Sequence, residues 1–256
     1  MNRLDKLFSE KKNNILNVYS TAGYPTLEST IPVLAALQKH GADIVELGIP
    51  YSDPLADGPV IQQSSAVALQ NGMSIQKLFD QLKYCRKDFH LPLILMGYLN
   101  PVMQFGVANF CKKAKEVGVD GIILPDLPIF EFETLYQRYF EENDLNFIFL
   151  ITPETSDERI RKIDDVSKGF IYAVSSSSTT GNNKEIDQQE NYFQKLQKMN
   201  LKNPVLVGFG IKDKATFQYA CKYSNGAIIG SAYIQALQHA ESIDGATKQF
   251  LDGVLR

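Results

Sequence analysis

The chain has 256 residues, 44% of them hydrophobic and 21% charged, which describes an ordinary globular protein with ample material for a core. Its net charge of −3 leaves no basic excess to neutralise the phosphates of a nucleic acid, and no apolar run approaches the roughly 20 residues of a membrane span. The opening Met1-Asn-Arg-Leu-Asp-Lys-Leu-Phe-Ser-Glu-Lys-Lys is charged and amphipathic, without the apolar centre of a signal peptide. The three cysteines, Cys85, Cys111 and Cys221, are odd in number and far apart, which suggests no disulfide framework. A reduced, cytoplasmic protein is the expectation.

In chain order, short β-rich runs alternate with longer amphipathic ones. Strands are predicted over 14–20, 43–47, 91–96, 120–124, 146–151, 169–174, 204–207 and 226–229. Most are continuously apolar, as parallel strands buried on both faces must be. Between them, Phe110, Ala114 and Val117, and then Tyr192, Leu196 and Met199, fall at i, i+4, i+7, giving each helix one apolar stripe. Turn signals announce several strands (Gly41-Ala-Asp, Gly118-Val-Asp-Gly, Asn225-Gly), and Ser156 or Asp157 is placed to cap the helix after strand five. Eight alternations with no Pro/Ser linker predict an α/β fold, a (β/α)8 TIM barrel in a single domain over 1–256 with extra short helices. A doubly wound open sheet is the alternative.

Two segments break the regularity. The stretch 50–59 follows strand two with three prolines and two acidic residues, a rigid polar loop; 175–189 follows strand six, small, polar and predicted to be mobile. Both belong at the C-terminal mouth, where barrels place their chemistry.

The last third carries Thr180-Gly181 after strand six, Gly208-Phe-Gly210 after strand seven and Gly230-Ser231 after strand eight. Barrel enzymes commonly hold a phosphate between the last loops and a short extra helix, which 231–237 supplies. Glycine admits close approach of backbone N–H groups to phosphate, and a helix N-terminus adds a favourable dipole. Any one of these glycines could simply end a strand; three on successive mouths point to an anion site without a dedicated Lys or Arg.

Strand two reads Asp43-Ile-Val-Glu-Leu-Gly, placing Glu46 on the same face as Ile44. A carboxylate among apolar neighbours is costly unless paired or protonated, and the predicted strands offer no Lys or Arg to pair it. Asp57, in Pro54-Leu-Ala-Asp-Gly-Pro59, reads alone as a turn or cap residue; beside Glu46 it becomes a second carboxylate over one pocket. Asp53 lies nearer the loop's outer bend. Strand six has no lysine for a Schiff base, and His40, His90 and His239 are scattered rather than clustered for a metal. General acid–base chemistry on a phosphorylated molecule is what these residues allow.

The segments Ala22-Gly23-Tyr24-Pro25, Glu46-Leu-Gly-Ile-Pro-Tyr-Ser-Asp-Pro-Leu-Ala-Asp-Gly-Pro-Val-Ile-Gln62, Met96-Gly-Tyr-Leu-Asn-Pro101, Pro125-Asp-Leu-Pro128 and Gly208-Phe-Gly-Ile211 resemble the tryptophan synthase α family, in the right order along the whole chain. The resemblance implies retro-aldol cleavage of indole-3-glycerol phosphate to indole and glyceraldehyde 3-phosphate, with no metal and no cofactor in this chain. It makes Glu46 the acid–base residue and Asp57 the acceptor of the indole N–H, with Tyr172 bordering the reacting side. Tyr19, Met96 and Phe209 then line the indole pocket, and Thr180, Gly181, Gly210, Gly230 and Ser231 fit the phosphate cradle. It further implies an α2β2 complex with a β subunit that carries pyridoxal phosphate, faced by Asp53, the 50–54 turn and the Asn100-Pro101 region. Two departures stand out: Ser176 occupies the place of an arginine found in some members, and Tyr19 that of a common phenylalanine. Two other readings stay open, a sugar-phosphate isomerase on a similar barrel and a non-catalytic subunit that binds ligand and tunes a partner.

Overall fold

The structure is a computed structural model and describes residues 2–174, 183–208 and 210–256, without the side chains of 183–189. Nine β segments run in chain order: β1 (Ile15–Thr21), β2 (Ile44–Gly48), β3 (Leu93–Met96), β4 (Gly121–Ile123), β5 (Asn146–Phe147), β6 (Leu150–Ile151), β7 (Ile171–Val174), β8 (Val205–Gly208) and β9 (Gly226–Ile229). All pair in parallel, in the spatial order β5-β4-β3-β2-β1-β9-β8-β7-β6. The two ends of that list are consecutive in the chain. The amide of Ile148 donates to Ile122 O on one side (3.0 Å), and that of Tyr172 donates to Phe149 O on the other (3.0 Å). The sheet therefore closes on itself as a (β/α)8 barrel, and the open-sheet alternative falls.

The eight predicted strands are all present to within two residues at each end, except that the fifth is split into β5 and β6. It hands its hydrogen bonds from β4 to β7 across Ile148 and Phe149, so neither short piece pairs on both sides.

Period-two alternation sorts the strands into two cores. Ile15, Ile44, Ile94, Ile123, Ile148, Phe170, Leu206 and Ile228 form one buried cluster, the barrel interior, which the first helix (Arg3–Glu10) plugs from below with Leu4 and Phe8. Phe8 packs on Phe170 with ring centres 6.0 Å apart. Leu16, Val18, Val45, Leu47, Leu93, Leu95 and Ile122 belong to the outer core between barrel and helices. The predicted stripe Phe110, Ala114, Val117 is buried there, as are Tyr192, Leu196 and Met199. Ser156 caps its helix, Asp157–Val166, by accepting from the Arg159 amide.

The N-terminal mouth is pinned by carboxylates just ahead of a strand that accept a backbone N–H from the strand before. Asp43 accepts from Leu16 N at 2.8 Å, and Asp120 from Leu93 N at 3.0 Å. Asp120 also takes the Arg86 guanidinium at 2.8 Å and the Arg3 side chain at 3.2 Å while itself 1% exposed. Removing one partner of a buried ion pair strands the other, at about 3–5 kcal/mol. Asp120→Ala is expected to lower the thermal midpoint sharply while leaving turnover per folded molecule unchanged, since it sits at the mouth opposite the proposed site.

Candidate active site

Above the isoleucine layer the interior turns polar. On β1 the inward face runs Ile15, Asn17, Tyr19; on β2 it runs Ile44, Glu46, Gly48, with Tyr19 in register with Glu46. Glu46 is fully buried, as is Asn17. The partner of Glu46 is neither Lys nor Arg: Asn17 Nδ2 donates to Glu46 Oε1 at 2.5 Å. Burial pushes the Glu46 carboxyl up to about 8, with the Asn17 bond pulling weakly the other way. A buried carboxyl that keeps its proton at neutral pH is a general acid in waiting.

Two glycines make room for two tyrosines. A Cβ on Gly48 would fall 2.0 Å from Tyr19 Oη, and one on Gly208 would fall 2.3 Å from Tyr172 Oη. The rings of β1 and β7 thus lie across the ends of β2 and β8. Tyr19 Oη is 3.4 Å from Thr21 Oγ1, which lies 2.6 Å from Ser64 Oγ on the helix Pro59–Gln70. The first turn of that helix carries the chain out of the acidic loop.

Asp57 is half-buried on that loop. Tyr98, just past β3, holds it: the Tyr98 hydroxyl donates to Asp57 Oδ2 at 2.9 Å and accepts from the Ala56 amide at 3.0 Å. Tyr51 packs on the Tyr98 ring at 5.2 Å between centres. Burial raises the Asp57 carboxyl, and the Tyr98 bond opposes it. The two carboxylates act on the same hydroxyls. After burial itself, Asp57 and then Glu46 push the Tyr19 phenol up, while Glu46 and then Asp57 push up that of Tyr172. Glu46 and Asp57 therefore both lie near enough to Tyr19 and Tyr172 for each phenol to feel the two charges. Met96, at the end of β3 and only partly buried, packs against the interior cluster.

At the end of β9, next to β1, Gly230 leads into the helix Ser231–Leu237, the short helix expected from the sequence. Ser231 is exposed, and its amide and that of Ala232 open the helix. Gly210 has φ +75° with open space where a side chain would be, a conformation that favours glycine. A Cβ on Gly230 would sit 3.5 Å from Tyr19 Cβ, so this glycine adjoins the tyrosine. Thr180, Gly181 and Phe209, with Ser176, lie outside the described residues.

On the acidic loop Asp53 is exposed, but Pro54 is buried within the chain itself. Its neighbour Leu55, 93% exposed, is the apolar group the loop presents. Asn17 and Tyr98 were not singled out in the sequence. The polar Asn17 shares the inward face of an apolar strand, the same signal that marks Glu46. Tyr98 reaches Asp57 across 41 residues, and its pattern gives no sign of that contact. Among the described residues no group of three or more His, Cys, Asp or Glu could hold a metal ion, and no helix is long and apolar enough to cross a membrane.

Residues 4–252 match the family model described as tryptophan synthase alpha chain. The chain is 53% identical over 238 residues to the tryptophan synthase alpha chain of Flavobacterium psychrophilum, covering 93% of this chain and 94% of that one. It is 51% identical over 247 residues to that of Bacteroides fragilis, covering 96% and 94%. Among solved structures it is similar to the tryptophan synthase alpha chain of Legionella pneumophila, with TM-score 0.88, 34% identity and coverage of 99% and 96%. With the barrel, and with a buried carboxyl on β2 followed by a second on the loop that leaves it, these matches settle its kinship: the chain belongs to the tryptophan synthase alpha chain family.

Proposed function

We propose that this chain, as a single barrel domain, cleaves indole-3-glycerol phosphate into indole and glyceraldehyde 3-phosphate and passes the indole to a β subunit in an α2β2 complex. Pyridoxal phosphate belongs to that partner, and the reaction needs only acid–base groups here. The carrying observation is the pair of carboxyls in unlike environments: Glu46 fully buried and raised to about 8, Asp57 half-buried and held by a tyrosine.

The chemistry follows from the substrate. Glu46 gives its proton to C3 of the indole ring, which leaves positive charge shared with N1. Asp57, through the Oδ1 that Tyr98 does not occupy, accepts the N1–H and stabilises that charge where it develops. Glu46, now a carboxylate, takes the proton of the neighbouring glycerol hydroxyl. The aldehyde C=O forms, the C–C bond breaks, and its electron pair restores the aromatic ring. Protons balance over the cycle, and Glu46 ends protonated again. Tyr19, Met96, Tyr172 and Phe209 enclose the indole and the reacting side. The amides at Gly210, Gly230 and Ser231, with Thr180 and Gly181, hold the phosphate as anions are held at helix N-termini. Asp53 and the Asn100-Pro101 region face the partner, and the reaction belongs in the cytoplasm.

Mixing the chain with indole-3-glycerol phosphate, with and without a β subunit, tests this reading by the indole released. Slow release alone and faster release with the partner is the expected result. A rearranged sugar phosphate without indole would make it an isomerase, and binding without any product would make it a ligand-sensing subunit.

A further inference from the structure

Two buried polar atoms at the base of the site have no hydrogen-bond partner among the described residues: Asn17 Oδ1 and Glu46 Oε2. They are the second oxygens of two groups already joined, since Asn17 Nδ2 donates to Glu46 Oε1 at 2.5 Å. Both residues are fully buried, so bulk water does not reach these atoms, and each would carry the penalty of an unmet polar group. One proton can meet both needs. A carboxylic acid and a primary amide are complementary: the amide N–H donates to the acid carbonyl, and the acid O–H donates to the amide oxygen. A proton on Glu46 Oε2 turns that atom from an orphaned acceptor into a donor, with Asn17 Oδ1 as its acceptor.

We propose that Asn17 is the positioning residue of Glu46, parking it as the neutral acid by a two-point amide–acid pair in the resting protein and holding it by Nδ2 after the proton has left. Lys or Arg at position 17 would stabilise only the carboxylate, and an aliphatic side chain would stabilise neither state. An amide serves both, because it offers donors and an acceptor in one plane. This rests on the reading of Glu46 as the acid–base group and adds the residue that orients it.

The ionisable groups around Glu46 are few. Tyr19 of β1 and Tyr172 of β7 feel its charge, and Asp57 of the acidic loop acts on the same two phenols, while β3, β8 and β9 present Ile94, Leu206 and Ile228 to the interior. No Lys or Arg side chain has a salt bridge or hydrogen bond to it among the described residues. Asn17 is therefore the group whose removal should be felt most directly in its proton affinity.

The test uses Asn17→Leu, close in size and without hydrogen bonds, beside Asn17→Ser, which keeps one donor and acceptor. Infrared difference spectra of the parent against Glu46→Gln at neutral pH should show a protonated carboxyl band, moved to higher frequency in Asn17→Leu as its carbonyl loses the amide donor. In Asn17→Leu, kcat should fall about tenfold or more with KM within about threefold, the pattern of a misplaced proton donor. The high-pH limb of kcat/KM should shift, because Asn17 bonds the neutral acid at two points and the carboxylate at one, so its loss does not weigh equally on the two forms. Asn17→Ser should lie between the two. Absence of the acid band in the parent overturns the proposal whether or not the variants fold. So does a folded Asn17→Leu or Asn17→Ser with parental kcat and an unmoved limb. If Glu46→Gln itself stays active, the reading of Glu46 fails; if it is dead while Asn17→Leu is normal, only the role of Asn17 fails.

Discussion

Glu46→Gln is expected to lose turnover by about 10²–10⁴-fold, the usual worth of a positioned general acid–base group. The substitution keeps the length and shape of the side chain and leaves the Asn17 amide a carbonyl oxygen to bond, so the pocket should stay formed. Affinity for a non-cleavable indole-alkyl phosphate should change by no more than a few-fold, since neither the phosphate wall nor Asp57 is touched. Titration of the ligand against the variant, beside steady-state release of indole, separates the two. A fall in binding as large as the fall in turnover would assign Glu46 to substrate recognition rather than proton transfer.

The same substitution should make the fold more stable, in a pH-dependent way. Glu46 has an ordinary carboxyl value in the unfolded chain and is raised to about 8 in the folded one. Between those values the folded state holds a proton that the unfolded state has released, so stability falls as pH rises through this window. Below about pH 4.5 both states are protonated and the parent and variant should be alike. From there to about pH 8 the variant should gain steadily, towards a few kcal/mol, and then level off. Thermal midpoints measured against pH read this directly. A parent as stable as the variant at pH 8 would mean that Glu46 is not buried in the working protein. A catalytic acid kept at the expense of stability fits the general conflict between active-site chemistry and packing.

The barrel was legible in the sequence because each strand is buried on both faces, and burial leaves a continuous apolar run that turn residues bracket. Ile171 to Val174 and Gly226 to Ile229 are of this kind. What the pattern does not carry is pairing. That Asn146 to Ile151 would be split between two neighbours depends on closure of the sheet, a property of no single strand. Glu46 was legible as one carboxylate on an apolar face, and the site's other parts were legible in proportion to how local they are. Gly230 and Ser231 follow one another in sequence. The fit of Tyr19 over Gly48 and of Tyr172 over Gly208 needs the register of neighbouring strands, and the clamp of Tyr98 on Asp57 needs two loops in space.

Asp57→Asn should cost about 10²-fold or more in kcat/KM, the scale set by removing one fixed group from a developing charge. Asparagine keeps a carbonyl oxygen that can accept the indole N–H, so the variant isolates the charge from the hydrogen bond. Phosphate affinity should persist because the substitution leaves the backbone amides at Gly210, Gly230 and Ser231 in place, whereas unchanged kcat would remove Asp57 from the reaction. Its protonation state gives a second handle. Asp57 works as the carboxylate and Glu46 as the acid, so kcat/KM should be bell-shaped, failing at low pH as Asp57 takes a proton and at high pH as Glu46 gives one up. The hydroxyl of Tyr98 stabilises the charged form of Asp57. Tyr98→Phe deletes that bond and leaves burial unopposed, so the acid limb should move up by about one pH unit while the high-pH limb stays in place. Movement of the high-pH limb alone would exchange the roles of the two carboxyls, and the electrostatic division of labour between them would be refuted.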